Sequence, residues 1–117
     1  MSDLPSLEVC LSPALLNLYD QHEAIVVVID VFRATSTIVT VLANGGKSVI
    51  PVASMEECIA LGKSVANSIT AGERNGKIIP GLQFGNSPSE YPEDFVSGKT
   101  LILTTTNGTR LLHMIEG

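Results

Sequence analysis

Five consecutive aliphatic residues, Ile25 to Ile29, run straight into Asp30, and Arg33 and the hydroxyl row Thr35-Ser36-Thr37 follow directly. A run this apolar leaves no solvent face for a half-exposed strand and is too short for a helix, so a strand buried on both faces is expected. Ala34-Thr35-Ser36-Thr37 then opens a segment with helical spacing. An acid, a base and hydroxyls therefore fall at a strand-to-helix junction, the place where open α/β sheets bind ligands.

The rest of the chain alternates in the same manner. Leu7–Leu11 reads as a leading strand, and Ser12-Pro13 supplies an N-cap and first helical residue for Pro13–Tyr19. After the central junction, Ile38, Val41 and Leu42 carry a helix through Asn44, which Gly45-Gly46 stops. Lys47–Val52 is the next strand. Ser54 and Glu57 form a capping box for a helix through about Asn67, with Cys58, Ile59, Leu61 and Val65 available to the sheet. Ser68–Ala71 reads as a short strand, 72–76 as a functional turn, 78–88 as irregular, and Ser87 to Glu90 as the cap of a brief helix. Lys99–Leu103 is the last strand, followed by the polar turn 104–109 and a helix from Arg110 to Ile115. Residues 1–117 fit a single α/β domain, three-layer αβα with a largely parallel sheet.

Seven basic residues stand against twelve acidic ones, and they are scattered singly, so the electrostatic footprint of a nucleic-acid binder is missing. Aromatic residues make up only 4%, too few for a base-stacking platform. No apolar stretch approaches a membrane span, and the N-terminus lacks the pattern of a signal peptide, so no membrane role and a cytoplasmic location are expected. Cys10 and Cys58 read as small core residues without a disulfide. His22 and His113 have no spaced partner histidine and suit surface or packing roles. An unfinished sheet with apolar excess predicts self-association into a homo-oligomer.

If the strands beginning at Ile25, Ser68 and Lys99 are parallel, their C-terminal ends bring Asp30/Arg33, Glu73/Arg74 and 104–109 to one edge. Two carboxylates there suit a hard divalent cation such as Mg2+, and two arginines suit bidentate binding of an oxyanion. A glycine-containing helix start offers free N–H groups to a phosphate or sulfonate. Each group also has a structural reading. Asp30 and Arg33 can pair across the junction, Thr35 or Ser36 can cap a helix, Glu73-Arg74 can be a solvated turn, and Asn86-Ser87-Pro88 can be a helix start. General motifs narrow the field. Gly72-Glu73-Arg74-Asn75-Gly76-Lys77-Ile78 is one residue short of a P-loop and has Ile78 where the hydroxyl is required. No dinucleotide-binding glycine pattern follows a strand, no nucleophile elbow is present, and Phe32 stands where haloacid-dehalogenase-like phosphatases carry their second aspartate.

Taken together, VVIDVFRATSTIVTVLANG, AGERNG with the following GLQFGNSPSEY, and TTTNGTR resemble the signature blocks of the 2-phosphosulfolactate phosphatase family, the ComB-like proteins. The likeness runs from Ile25 to Arg110 with the blocks in family order. It implies an α/β fold outside the better-known phosphatase superfamilies and Mg2+-dependent hydrolysis of (2R)-2-phospho-3-sulfolactate to 3-sulfolactate and phosphate, a step in coenzyme M synthesis. Members of that family continue further, so the chain is expected to be the N-terminal portion of a longer ComB-like phosphatase. In this reading Asp30 and Glu73 ligate Mg2+, and Arg33 and Arg74 clamp phosphate or sulfonate of a small anionic phosphorylated substrate. Thr35, Ser36, Asn86, Ser87, Thr106, Asn107, Gly108 and Thr109 contact the remaining substrate oxygens. The alternative is a non-catalytic anion-binding or assembly domain.

Overall fold

The computed structural model describes residues 4–115. Four strands form one mixed, mostly parallel sheet: β1 (Ser48–Pro51), β2 (Ser68–Arg74), β3 (Lys77–Ile78) and β4 (Thr100–Thr104), in the order β1-β4-β2-β3. β4 lies parallel to both β1 and β2, with Leu101 level with Val49 on one side and Ile69 on the other. Every residue of β4 is buried. Because alternate side chains point to opposite faces, this strand supplies two cores at once. Leu101 and Leu103 join Ile69, Ala71, Val41, Tyr91 and Val96 on one face. Ile102 joins Val52, Cys58, Ile79 and Leu82 on the other.

Helices cover both faces. α1 (Ala34–Ala43) buries Ala34, Thr37 and Val41 in a single stripe, and Gly45 ends it at φ +84°, a conformation that a side chain would oppose. α2 (Met55–Ser64) starts as its sequence dictates: Ser54 Oγ accepts from Glu57 N–H at 3.1 Å, and the Glu57 carboxylate accepts from Ala53 N–H at 3.1 Å. Its Cys58 is fully buried, and burial pushes the thiol's pKa up. Both cysteines are free. Two short helices, α3 (Glu93–Val96) and α4 (Gly108–Met114), flank β4 in sequence, and 3-10 turns occupy Pro13–Leu18 and Pro88–Glu90. The result is a three-layer α/β arrangement.

Two expected strands are not formed. Leu7–Leu11 carries no strand pairing, and Leu7, Val9 and Leu11 are exposed. Ile25–Ile29 is likewise outside the sheet, with Ile25 95%, Val27 74% and Ile29 76% exposed. The apolar run expected at the centre of the fold lies outside it, and Thr100–Thr104 takes the central position. β2 and β3 hold the opposite surprise. β2 continues to Arg74, three residues beyond the expected strand end, because Asn75 (φ +53°) and Gly76 (φ +73°) form a tight hairpin turn into β3. The molecule is elongated, 51 × 26 × 25 Å.

Candidate active site

The C-terminal ends of β2 and β4 define the edge at which the polar turns meet. β4 runs into Thr104-Thr105-Thr106-Asn107, and this turn is braced from within. Thr109 Oγ1 accepts from Thr105 N–H at 3.2 Å and donates to the Thr105 carbonyl at 3.2 Å, while Thr109 N–H donates to Thr105 Oγ1 at 3.1 Å. Both threonines are buried and their hydroxyls fix the turn, that of Thr109 both donating and accepting in doing so.

Glu73, at the end of β2, grips the same turn. Its Oε1 accepts from Thr106 N–H at 3.3 Å and its Oε2 from Gly76 N–H at 3.0 Å, and Thr106 Oγ1 donates to the Glu73 carbonyl at 3.5 Å. Partial burial raises the pKa of this carboxyl, but the Gly76 and Thr106 donors and the positive charge of Arg33 outweigh it and hold the group below its usual range. Glu73 is therefore ionised at neutral pH.

Asp30 approaches the turn from the other side. A Cβ added to Gly108 would sit 3.2 Å from Asp30 Oδ2, 3.1 Å from Thr105 Oγ1 and 2.6 Å from the Ala34 Cβ. Only glycine admits both the aspartate and the first turn of α1 to this spot. Thr35 sets the aspartate's backbone, its Oγ1 accepting from Asp30 N–H and its N–H donating to the Asp30 carbonyl, both at 3.0 Å. Ser36 Oγ donates to the Val31 carbonyl at 2.7 Å and closes the same turn. The Asp30 carboxylate itself has no hydrogen-bond partner among the described residues. Asp30 thus reaches the sheet edge without the strand that was expected to deliver it.

The other expected site residues separate into two groups. Asn86 is buried, its carbonyl accepting from Thr37 Oγ1 at 2.9 Å, and its side-chain Oδ1 is buried without a partner. Thr106 and Asn107 are exposed, and the N–H groups of Asn107 and Gly108 are unpaired among the described residues. Arg74 and Ser87 stand apart from the cluster. Arg74 follows Glu73 in a strand and so points to the opposite face, exposed, level with Lys77. Ser87 donates its N–H to the Glu90 carboxylate at 3.0 Å and shares a hydroxyl hydrogen bond with Ser89. Sequence reading passed over Thr37 and Thr105. Thr37 was detectable as the one polar member of the Ala34/Thr37/Val41 stripe, whereas Thr105 has no signal apart from its turn.

No three His, Cys, Asp or Glu side chains cluster among the described residues. The donor set at this edge is nevertheless hard and oxygen-rich: the Asp30 carboxylate, which has no hydrogen-bond partner among the described residues, and the ionised Glu73. That chemistry fits Mg2+, which keeps several waters and takes one or two carboxylates from a protein.

Residues 10–117 match the family described as 2-phosphosulpholactate phosphatase. The chain belongs to that family. A Thermotoga maritima protein named "Probable 2-phosphosulfolactate phosphatase" is 54% identical over 90 residues, covering 77% of this chain and 39% of that protein. Proteins of the same name from Caldanaerobacter subterraneus subsp. tengcongensis and Clostridium acetobutylicum are 51% and 55% identical, covering 86% and 77% of this chain and 42% and 39% of theirs. The chain thus spans about two fifths of the length of these relatives. Among the described residues no helix is long and apolar enough to cross a membrane.

Proposed function

We infer that this 2-phosphosulfolactate phosphatase family chain is the N-terminal portion of a phosphoric monoester hydrolase that converts (2R)-2-phospho-3-sulfolactate to 3-sulfolactate and phosphate, as in coenzyme M synthesis. The observation that carries the reading is the meeting of Asp30 and Glu73, from two different segments, on the one turn that follows β4. The names of the relatives supply the substrate.

Asp30 and Glu73 would hold Mg2+, which when bound supplies Lewis-acid polarisation of the phosphoryl oxygens and an acidified water. Glu73 is kept ionised by its donors and by Arg33, which suits a ligand or acceptor and excludes it as the proton donor to the leaving alkoxide at neutral pH. Arg33 lies close enough to act electrostatically on Glu73, and its planar donor fork would bind a phosphate or sulfonate oxygen pair and offset transition-state charge. The unpaired N–H groups of Asn107 and Gly108 are further donors to an oxyanion. The threonine braces hold this turn still, so its donors need little reorganisation as charge develops. Arg74 would reach the substrate only from the far side of the hairpin, a weaker position for the clamp. A location in the cytoplasm and assembly into a homo-oligomer complete the proposal.

The test is phosphate release from 2-phospho-3-sulfolactate, by this chain and by the intact Thermotoga maritima relative, with Mg2+ and with EDTA. Metal-dependent, selective turnover by the relative is expected, with a loss of roughly 100-fold or more when the aspartate aligned with Asp30 becomes Asn. Turnover unaffected by that change removes Asp30 from the mechanism. Substrate binding without turnover by either protein returns the anion-binding alternative.

A further inference from the structure

The segment before the site is an apolar run with no backbone pairing. None of the backbone N–H or C=O groups from Ile25 to Ile29 has a hydrogen-bond partner among the described residues. Its two faces differ. Val26 and Val28 are the more covered, Val26 being 38% exposed, whereas Ile25, Val27, Ile29 and Val31 form a bare row at i, i+2 spacing. A contiguous apolar row beside an open backbone edge marks an interaction surface.

We propose that Ile25–Val31 is a docking strand for an α/β segment equivalent to the part of the longer family members that lies beyond the region aligned with this chain. The occupant must do two things together: pair the backbone edge and cover the bare row. A second copy of this chain does only one at a time. Edge-to-edge pairing of two such strands satisfies the backbone and leaves both aliphatic rows in water, while stacking row on row leaves the backbone groups unpaired. A piece of α/β structure brings an edge strand and a covering layer at once. The Caldanaerobacter relative has more than half its length outside the alignment, enough for such a piece. Docking here would fix the residues leading into Asp30 and Arg33, so the partner would also set the position of the site's acid and base. This inference rests on family membership and not on the phosphatase reading.

The 102-residue alignment with the Caldanaerobacter relative is long enough that it must include positions 25–29. The experiment co-expresses this 117-residue chain with the portion of that relative beyond the alignment, so that the two pieces can fold together. Expected are a 1:1 complex by light scattering and amide exchange at 25–29 slowed by roughly 100-fold relative to the chain alone. Val27→Lys, at an exposed position of the isolated chain, is expected to leave its melting unchanged and to weaken the complex by roughly tenfold or more. Failure to co-purify, a complex that leaves exchange at 25–29 unchanged, or a homodimer of this chain that protects the same amides overturns the proposal.

Discussion

Glu73 carries a pH dependence whose sign follows from its surroundings. Its pKa is lowered on folding, so its interactions contribute stability above the ordinary carboxylate range and lose it as pH falls through the folded value. Glu73→Gln removes that titration. Thermal melts between about pH 3 and pH 7 are therefore expected to show the unaltered chain losing stability more steeply toward acid than the Gln variant. Equal slopes would mean that the Gly76 and Thr106 donors do not favour the ionised form. Gly108 is tested by adding one carbon. Gly108→Ala would place its methyl 2.6 Å from the Ala34 Cβ and 3.2 Å from Asp30 Oδ2. A loss of about 1–3 kcal/mol in chemical denaturation is expected, the usual cost of overpacking. The sequence showed Asp30, Glu73 and the 104–109 turn as polar groups at element ends, and those are what the structure brings together. It could not show Thr105 or the closeness of Gly108 to Ala34, because both depend on contacts between segments far apart in the chain.

At the scale of elements, the loop from Leu82 to Tyr91 replaces regular structure with a few anchored contacts. Phe84 carbonyl accepts from Gly72 N–H at 3.0 Å, the Glu90 carboxylate accepts from Gly85 N–H at 3.2 Å, and the fully buried Tyr91 donates its hydroxyl to the Gly85 carbonyl at 2.6 Å. Burial pushes the Tyr91 phenol's pKa far up, so it is a donor at neutral pH. Tyr91→Phe keeps the ring's packing on Phe84 and leaves the Gly85 carbonyl without its partner. The expected cost is about 1–3 kcal/mol of stability by urea titration, and an unchanged midpoint would mean that this hydrogen bond contributes nothing. The sequence reading of 78–88 as irregular holds from Ile79 onward, Ile78 being the second residue of β3, and the brief capped turn at 88–90 is formed. The β2–β3 hairpin was hidden behind its charges. Asn-Gly is a strong hairpin signal, but Glu73 and Arg74 beside it drew the reading toward a functional loop.

For the molecule as a whole, two apolar runs of similar composition have opposite fates, and composition alone does not separate them. Leu101-Ile102-Leu103 is buried on both faces because β1 and β2 satisfy its backbone on either side and helices cover it above and below. Ile25–Ile29 has no strand neighbour among the described residues, and a strand's burial is decided by its neighbours as much as by its own side chains. Periodicity therefore identified the fold class but assigned the central position to the wrong run, and the helix that follows Asp30 starts without the expected strand before it. The difference is measurable in this chain. Ile102→Ala removes packing from the core that contains Val52, Cys58, Ile79 and Leu82, and is expected to cost about 2–5 kcal/mol. Ile25→Ala acts on a side chain 95% exposed and is expected to change stability by no more than about 0.5 kcal/mol. Denaturation midpoints of the two variants decide the matter. If Ile25→Ala proves as costly as Ile102→Ala, the run before Asp30 is already packed in the isolated chain, and the sheet has a strand more than the four described.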